Sequence, residues 1–546
     1  MPEMTERTLQ RGVVTSLDPA VGGCSPRLRG SADRRRIRIG SRLTRSRILW
    51  HGRGGETSDP ARVSAVSQRV DTLRVLLTRT AVAMGAAVIL SGAGVTEARA
   101  DALAPGAPKR AERPAINWIY AAHEDWSVLA DPALRTDPFD RIKYIPIGAD
   151  PMIYLSLGVT VRERFESVSL RLTPLEPDDY LLTRTRVHAH LHLGTHLRLF
   201  TQLIDSRASG KTLVRPIDQN RLDLGQAFVA VTIPVGPGDL GITVGRQDPE
   251  LDLQRFVASR EGPNVPQPFD SFHADYTSGA WWGVAFYSRP VLTHDEDPFD
   301  DHSSHHFTIT GAHVERRHVA AGKLSLFAAQ LSDDDGRNLT GFGRRERRNV
   351  VDLRYVGRAA GWDWDTEGMA QGGDLGGKKV RAWGAGGLFG YTWASEPWSP
   401  RLGLQFDAAS GNNEPSGNTL RTFNPLFPNG FYELLAGYPG YANFVHLKSS
   451  AMVHPMRTVS ALFTGGALWR ETTADAVYLL PAIPVFGTAG RGSAYSGVYA
   501  QIRLDWAISP HLAGAIDAEQ FAHSRSLHQT GARDGHYVGI ELKAGI

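Results

Sequence analysis

Leu155-Ser156-Leu157-Gly158-Val159-Thr160-Val161-Arg162 alternates apolar and polar residues without a break. Successive side chains of a strand point to opposite faces, so Leu155, Leu157, Val159 and Val161 share one side. Ser156, Gly158, Thr160, Arg162 and Arg164 share the other. One face suits lipid and the other suits water, which is the pattern of a strand in a membrane barrel.

Working outward, the pattern recurs in segments of roughly ten residues, from Met152 to Ser167 through to Asp534 to Ile546. Eighteen such segments can be counted. Short turns at Gly194-Thr195, Gly236-Pro237-Gly238, Thr277-Ser278-Gly279, Ala320 to Gly322, Ala359 to Gly361, Glu396-Pro397, His454-Pro455 and Ser509-Pro510 alternate with mostly longer connections. Eight short turns and nine outer connections are what an even-stranded barrel with both termini on one side requires. The expectation is an all-β chain: an 18-stranded antiparallel transmembrane β-barrel with short periplasmic turns and long extracellular loops. The longest connections, Asp248 to Phe269, Gly411 to Gly440 and Glu471 to Arg491, have the length to fold inward and narrow the bore. A soluble sandwich or propeller would instead show hydrophobic core rows and turns of more even length.

Bulk composition agrees. The chain has 546 residues, 57 of them glycine, and its mean hydropathy is slightly negative. Spanning helices would raise that value, whereas barrel strands expose half their residues to water. Charge is uneven: residues 1–100 hold 17 Arg against 8 Asp and Glu, a net of +9, and the remainder nets −6. The basic balance therefore belongs to the leader and gives no case for nucleic acid. Cys24 is the single cysteine, which leaves no disulfide framework and no cysteine-based metal site or nucleophile.

Arg69, Arg74 and Arg79 precede the apolar run Thr80 to Val95, and Ala98-Arg99-Ala100 stands before Asp101. This reads as a Sec signal peptide over residues 63–100, too short for a spanning helix. Residues 1–62 form a basic leader that reads as a start assigned too early, with a targeting or nucleic-acid arm as the alternative. Residues 101–151 are expected as a periplasmic segment leading into a barrel over 152–546.

Alternation also assigns the bore. Arg162, Arg164 and Glu166 should face inward, as should Arg184, Arg186, His188, His190 and His192, followed by Arg198 and Gln202. Farther along, Asp352 and Arg354, then Arg503 and Asp505, oppose apolar neighbours, and Asp363, Asp365 and Glu367 share a face. Arginines in a narrow bore give a positive potential that concentrates an anionic solute, because screening acts over about 8 Å at physiological salt. Carboxylates such as Asp223, Asp352 and Asp505 would orient them and keep binding weak enough for exit. The alternative is a purely structural ion-pair network. In the last strand Val538, Ile540, Leu542, Ala544 and Ile546 oppose Gly539, Glu541, Lys543 and Gly545. That strand is similar to the C-terminal insertion signal read by the barrel assembly machinery, with Ile in place of the usual Phe.

Several short motifs point to one family. They are Glu124-Asp125-Trp126, Lys143-Tyr144-Ile145-Pro146, Arg162-Glu163-Arg164-Phe165-Glu166 and Thr183-Arg184-Thr185-Arg186. Gln226-Ala227-Phe228-Val229, Gly245-Arg246-Gln247, Ser410-Gly411-Asn412, Phe423-Asn424-Pro425-Leu426-Phe427-Pro428 and Asp475-Ala476-Val477-Tyr478 follow in order. From roughly Ile116 onward the chain resembles the alginate-export family of outer-membrane porins. The resemblance implies a monomeric eighteen-stranded barrel with an arginine-rich constriction passing a polyuronate outward. Arg164, Arg186 and Arg246 carry over inside matched motifs; Arg198, Arg354, Arg470 and Arg503 rest on alternation. Arg246 shares the parity of Ile242 and Val244, so a bulge would be needed to turn it inward.

The expected partners are an anionic polysaccharide or oligosaccharide, outer-membrane lipid and periplasmic secretion components. Uptake of small organic anions is the alternative, with a hydrolase or a loop-based adhesin ranked below. No G-x-S-x-G or H-E-x-x-H motif supports a hydrolase. His188, His190, His192 and His196 could form a metal cluster, but side chains two apart on a strand stand about 7 Å apart, too far for three to share one ion without a bend. The loop cluster Asp301, His302, His305 and His306 and the run Asp333-Asp334-Asp335-Gly336 read as solvated loops. No cofactor or metal is expected. Trp281, Trp282, Trp383, Trp393, Trp398 and Trp506 lie near strand ends, where interfacial anchoring is the ordinary reading.

Overall fold

The computed structural model describes residues 113–169, 177–248, 262–334, 344–437, 439–480 and 482–546. The leader, the signal peptide with its cleavage site, and Asp335-Gly336 lie outside the described residues.

Eighteen long strands make the wall. They are β1 (Ile153–Val168), β2 (Asp178–Leu193), β3 (Leu197–Ser209), β4 (Asn220–Val235), β5 (Gly238–Gln247), β6 (Phe269–Ser278), β7 (Trp281–Leu292), β8 (Phe307–Val319) and β9 (Gly322–Asp333). The second half comprises β10 (Glu346–Ala359), β11 (Trp362–Leu375), β12 (Lys378–Thr392), β13 (Arg401–Ala409), β14 (Phe444–Met456), β15 (Val459–Trp469), β16 (Tyr495–Ser509), β17 (Leu512–His523) and β18 (Gly535–Gly545). Each pairs antiparallel with the next. The sheet closes where β18 meets β1, from Thr160↔Gly545 to Val168↔Tyr537. Closure leaves no exposed sheet edge, which is what allows strands to cross a bilayer. Among the described residues no helix is long and apolar enough to cross a membrane.

The alternation seen in the sequence is the alternation of the wall. Phe165, Leu181, Val187, Val351, Leu353, Leu404 and Leu542 are exposed outward, while Arg164, Arg184, Asp352, Arg354 and Glu541 are buried between them on the inner side. Exposed Trp281, Trp362, Trp398 and Trp506 ring the end with the short turns. Amphipathic indoles settle at a membrane surface. Trp282 differs: next to Trp281 it must take the opposite side, and it packs on the inner aromatic cluster.

One turn is displaced. His454-Pro455 lies inside β14, and the chain reverses at Arg457-Thr458 after a register shift between Val453 and Met456. Proline has no N–H for the ladder, so the strand bulges around Pro455 and does not stop there.

Gly245 has φ +134, and a Cβ would strike the Ala227 carbonyl across the β4–β5 ladder. An L side chain at such an angle costs about 2 kcal/mol before the clash is counted. Gly245→Ala is therefore expected to lower the temperature at which the barrel loses its compact gel mobility. Unchanged heat-modifiable migration would refute this reading.

Candidate functional site: the basic wall of the bore

Register brings the arginines of β1 and β2 together. Arg162 stands opposite Arg184, and Thr160 opposite Arg186. Arg162, Arg164, Arg184 and Arg186 are each at most 4% exposed, on the inner face. Arg164 meets Glu541 at 3.2 Å and Asp517 at 3.3 Å from the strands on the other side, and Glu166 of its own strand at 2.7 Å. The phenol of Tyr537 accepts from the same guanidinium. Arg503 binds Asp505 at 2.7 Å and shares Asp517 at 2.9 Å, and Lys543 reaches Glu541 at 3.0 Å.

Two long connections fold onto this patch. Arg162 donates to the Pro263 carbonyl and to Asn264 Oδ1, both at 3.1 Å, and Asn264 also holds the Thr183 carbonyl at 3.0 Å. From the 410–443 connection, the Phe431 ring lies 4.9 Å from the Arg164 guanidinium. The same connection brings Phe423, Leu426, Phe427, Leu434 and Tyr441 onto inward Phe269, Phe286, Phe327, Tyr499 and Phe521. Part of the bore is therefore apolar, which strand alternation alone did not announce. Its one sequence signal was the apolar run Phe423 to Pro428 inside a long connection.

The outer connections are clipped to each other. Asp475 Oδ2 accepts from the Asn412 amide at 2.7 Å and the Thr422 hydroxyl at 2.6 Å. Hydrogen bonds to a buried charge contribute about 2 kcal/mol. Asp475→Ala is expected to speed protease cleavage within 410–443 and 470–494 several-fold while leaving barrel thermostability almost unchanged. Equal cleavage rates would sink the clip.

At the short-turn end, the segment 113–152 packs against the inner face. Trp126 and Leu129 are fully buried with Tyr144 and Tyr154, and Ala121 and Ala122 cover Phe200. Lys143 binds Glu124 at 3.1 Å, both nearly inaccessible. Burial pushes the Lys143 ammonium below its ordinary value, and the Glu124 charge restores part of the shift. Gly158 is bare because the His188 ring and the Lys143 ammonium fill the place of a Cβ. The histidine row packs as an aromatic stack: His192 on Tyr154 at 4.3 Å, His190 on His192 at 4.0 Å, and His190 edge-on to Phe200 at 5.3 Å.

The expected residues thus divide. Arg162, Arg164, Arg184 and Arg186 share one patch, with Arg503 beside it. Asp505 is hydrogen-bonded to Arg503. Arg354 lies on the far side, held by Asp365 at 2.8 and 2.7 Å, and Asp352 is buried on the same inner face. Arg198 faces inward at the short-turn end, where it donates to the Ala122 carbonyl at 3.2 Å. Arg470 lies past the end of β15 and spends its donors on its own loop, at the carbonyls of Thr488, Arg491 and Ser493.

At Arg246 the ladder has no bulge within β5. The registers Ala227↔Arg246 and Arg246↔Asp270 run without a shift, so it holds the register position of exposed Val244 and Phe272. Its guanidinium pairs with Asp270 at 3.0 and 3.3 Å and also reaches buried Asp223 at 3.7 Å. The bulge needed to reverse it lies in β4, where the pairing slips between Gln202 and Leu203. Sequence reading missed Asp517, Tyr537 and Arg348 as members of the inner network. Parity along β17, β18 and β10 would have placed them there.

A closed barrel of eighteen strands, apolar outside and charged within, has the architecture of an outer-membrane porin. The sequence profile of the Alginate export family matches residues 153–541, and the chain belongs to that family. Among solved structures it is similar to a BenF-like porin from Pseudomonas fluorescens Pf-5, 9% identical with a TM-score of 0.50, over 72% of this chain and 98% of that one. It is also similar to OccK2 (OpdF) of Pseudomonas aeruginosa, 12% identical with a TM-score of 0.49, over 72% and 97% of the two chains. The comparison with curated proteins finds no match. Family and fold together point to a transport channel.

Proposed function

We propose that this barrel passes an anionic polysaccharide or oligosaccharide, of the alginate-like polyuronate class, across the outer membrane. The observation that carries the reading is the patch of Arg162, Arg164, Arg184 and Arg186 on two neighbouring strands, whose carboxylate partners come mainly from β17 and β18. Half a circumference away, β10 and β11 present Glu346, Asp352, Asp363, Asp365 and Glu367 with Arg348 and Arg354. Opposed walls of unlike sign set a field across the bore, which orients a polyanion along the basic side. The pairing of Arg164 and Arg503 keeps any one contact weak, and transport needs binding that releases.

In this reading the short turns face the periplasm and the long connections the exterior. The segment 113–152 acts as a stopper at the periplasmic mouth, and β18 supplies the surface by which the barrel assembly machinery inserts the chain. The test is conductance in planar bilayers. Anion selectivity, with block by oligouronates and none by neutral oligosaccharides of equal length, supports the proposal. Cation selectivity, or equal block by both, overturns it.

A further inference from the structure

The connection between β17 and β18 joins the two strands that supply Asp517 and Glu541 to the basic wall, and it gathers ligands of a different chemistry. His523 ends β17, His528 ends the helical turn Arg525–His528, and Asp534 immediately precedes β18. One nitrogen from each imidazole and one oxygen of the carboxylate all lie within 4.8 Å of one another. Asp534 Oδ1 stands 2.8 Å from His528 Nε2 and 3.7 Å from His523 Nδ1. It also accepts the His523 amide at 2.7 Å.

We propose that His523, His528 and Asp534 form a binding site for a divalent transition-metal ion of the zinc type, which staples the 524–534 connection to the strands on either side.

The donor set decides the class of ion. Two imidazoles and one carboxylate suit zinc, copper or nickel, whereas calcium and magnesium require oxygen ligands throughout. Three protein ligands leave a position for water. Access is open, because the side chains of His528 and Asp534 are 43% and 48% exposed while that of His523 is buried.

The backbone between the ligands is set in advance. Ser524 caps the helical turn. Ala532 and Thr530 both close onto the Leu527 carbonyl, at 3.1 and 2.8 Å, and Leu527 is buried against Val485 and Ala532. An ion therefore replaces the His528–Asp534 hydrogen bond with small side-chain motions and no refolding. The same connection forms one wall of a cavity of about 150 Å³ that Arg470 and Arg491 line from the facing loop. Fixing one wall of that cavity is the structural consequence of binding. The proposal stands whether or not the barrel conducts anions.

The test uses the full-length barrel in detergent, stripped with a chelator and titrated with zinc by calorimetry. The expected result is saturable uptake of one ion per chain, unaffected by excess calcium or magnesium. His528→Ala and Asp534→Asn, both at exposed positions, should each weaken it by at least about tenfold, with the folded gel mobility retained. His302→Ala, in another loop, should bind as the parent does. Absence of saturable zinc uptake, equal binding by the two variants, or displacement by calcium would overturn the proposal.

Discussion

Replacing Arg162, Arg184 and Arg186 together by Ala should lower the anion-over-cation permeability ratio of the reconstituted channel on the order of tenfold. Arg246→Ala should leave the ratio unchanged. The contrast follows from parity: the first three side chains are on the inner face, and Arg246 holds the register position of exposed Val244, its charge met by Asp270 and Asp223. Arg164 has a structural role that the other three do not share to the same degree. It sits among Glu166, Asp517 and Glu541, so removing it strands buried carboxylates and damages the wall. Screening provides an internal control, since selectivity carried by this patch should fade as ionic strength rises and the Debye length drops from about 8 Å toward about 3 Å. A triple variant that keeps its anion preference, or an Arg246 variant that loses it, would show that the basic wall does not set the field.

Loosening the segment at the short-turn mouth should have the second large effect. Trp126→Ala removes a fully buried side chain that contacts Lys143 and Arg113 through its ring. Truncating a buried tryptophan costs about 3 to 5 kcal/mol, more than a single short segment is expected to hold in reserve. Glu124→Ala acts on the same joint by leaving the Lys143 ammonium buried without its carboxylate, a loss of about 3 kcal/mol. Both variants should raise single-channel conductance several-fold and expose the 113–152 segment to trypsin, with barrel thermostability retained. Undocking without any rise in conductance would mean that the segment does not obstruct the pore.

Much of the wall was legible because a strand's two faces meet different solvents. The segment from Leu155 to Arg164 could be oriented by inspection, and the same rule placed Arg184, Arg354 and Arg503 inward. Where the rule met a local irregularity it misled. Pro455 looked like a turn and is a bulge, and Arg246 needed a bulge that the chain places instead in β4. Parity is a property of the chain, but a bulge depends on the neighbouring strand as well.

Strand number, closure and the inner face followed from the sequence by itself, since period two, turn residues and chain length leave few ways to hide so many polar faces. Tertiary structure alone decided which charges are paired, how the 410–443 connection places aromatics in the bore, how 113–152 packs on the inner face at the short-turn end, and that His523, His528 and Asp534 meet. The physical reason is range. Alternation acts between adjacent residues, whereas Arg164 and Glu541, 377 positions apart, become neighbours only when the last strand closes on the first.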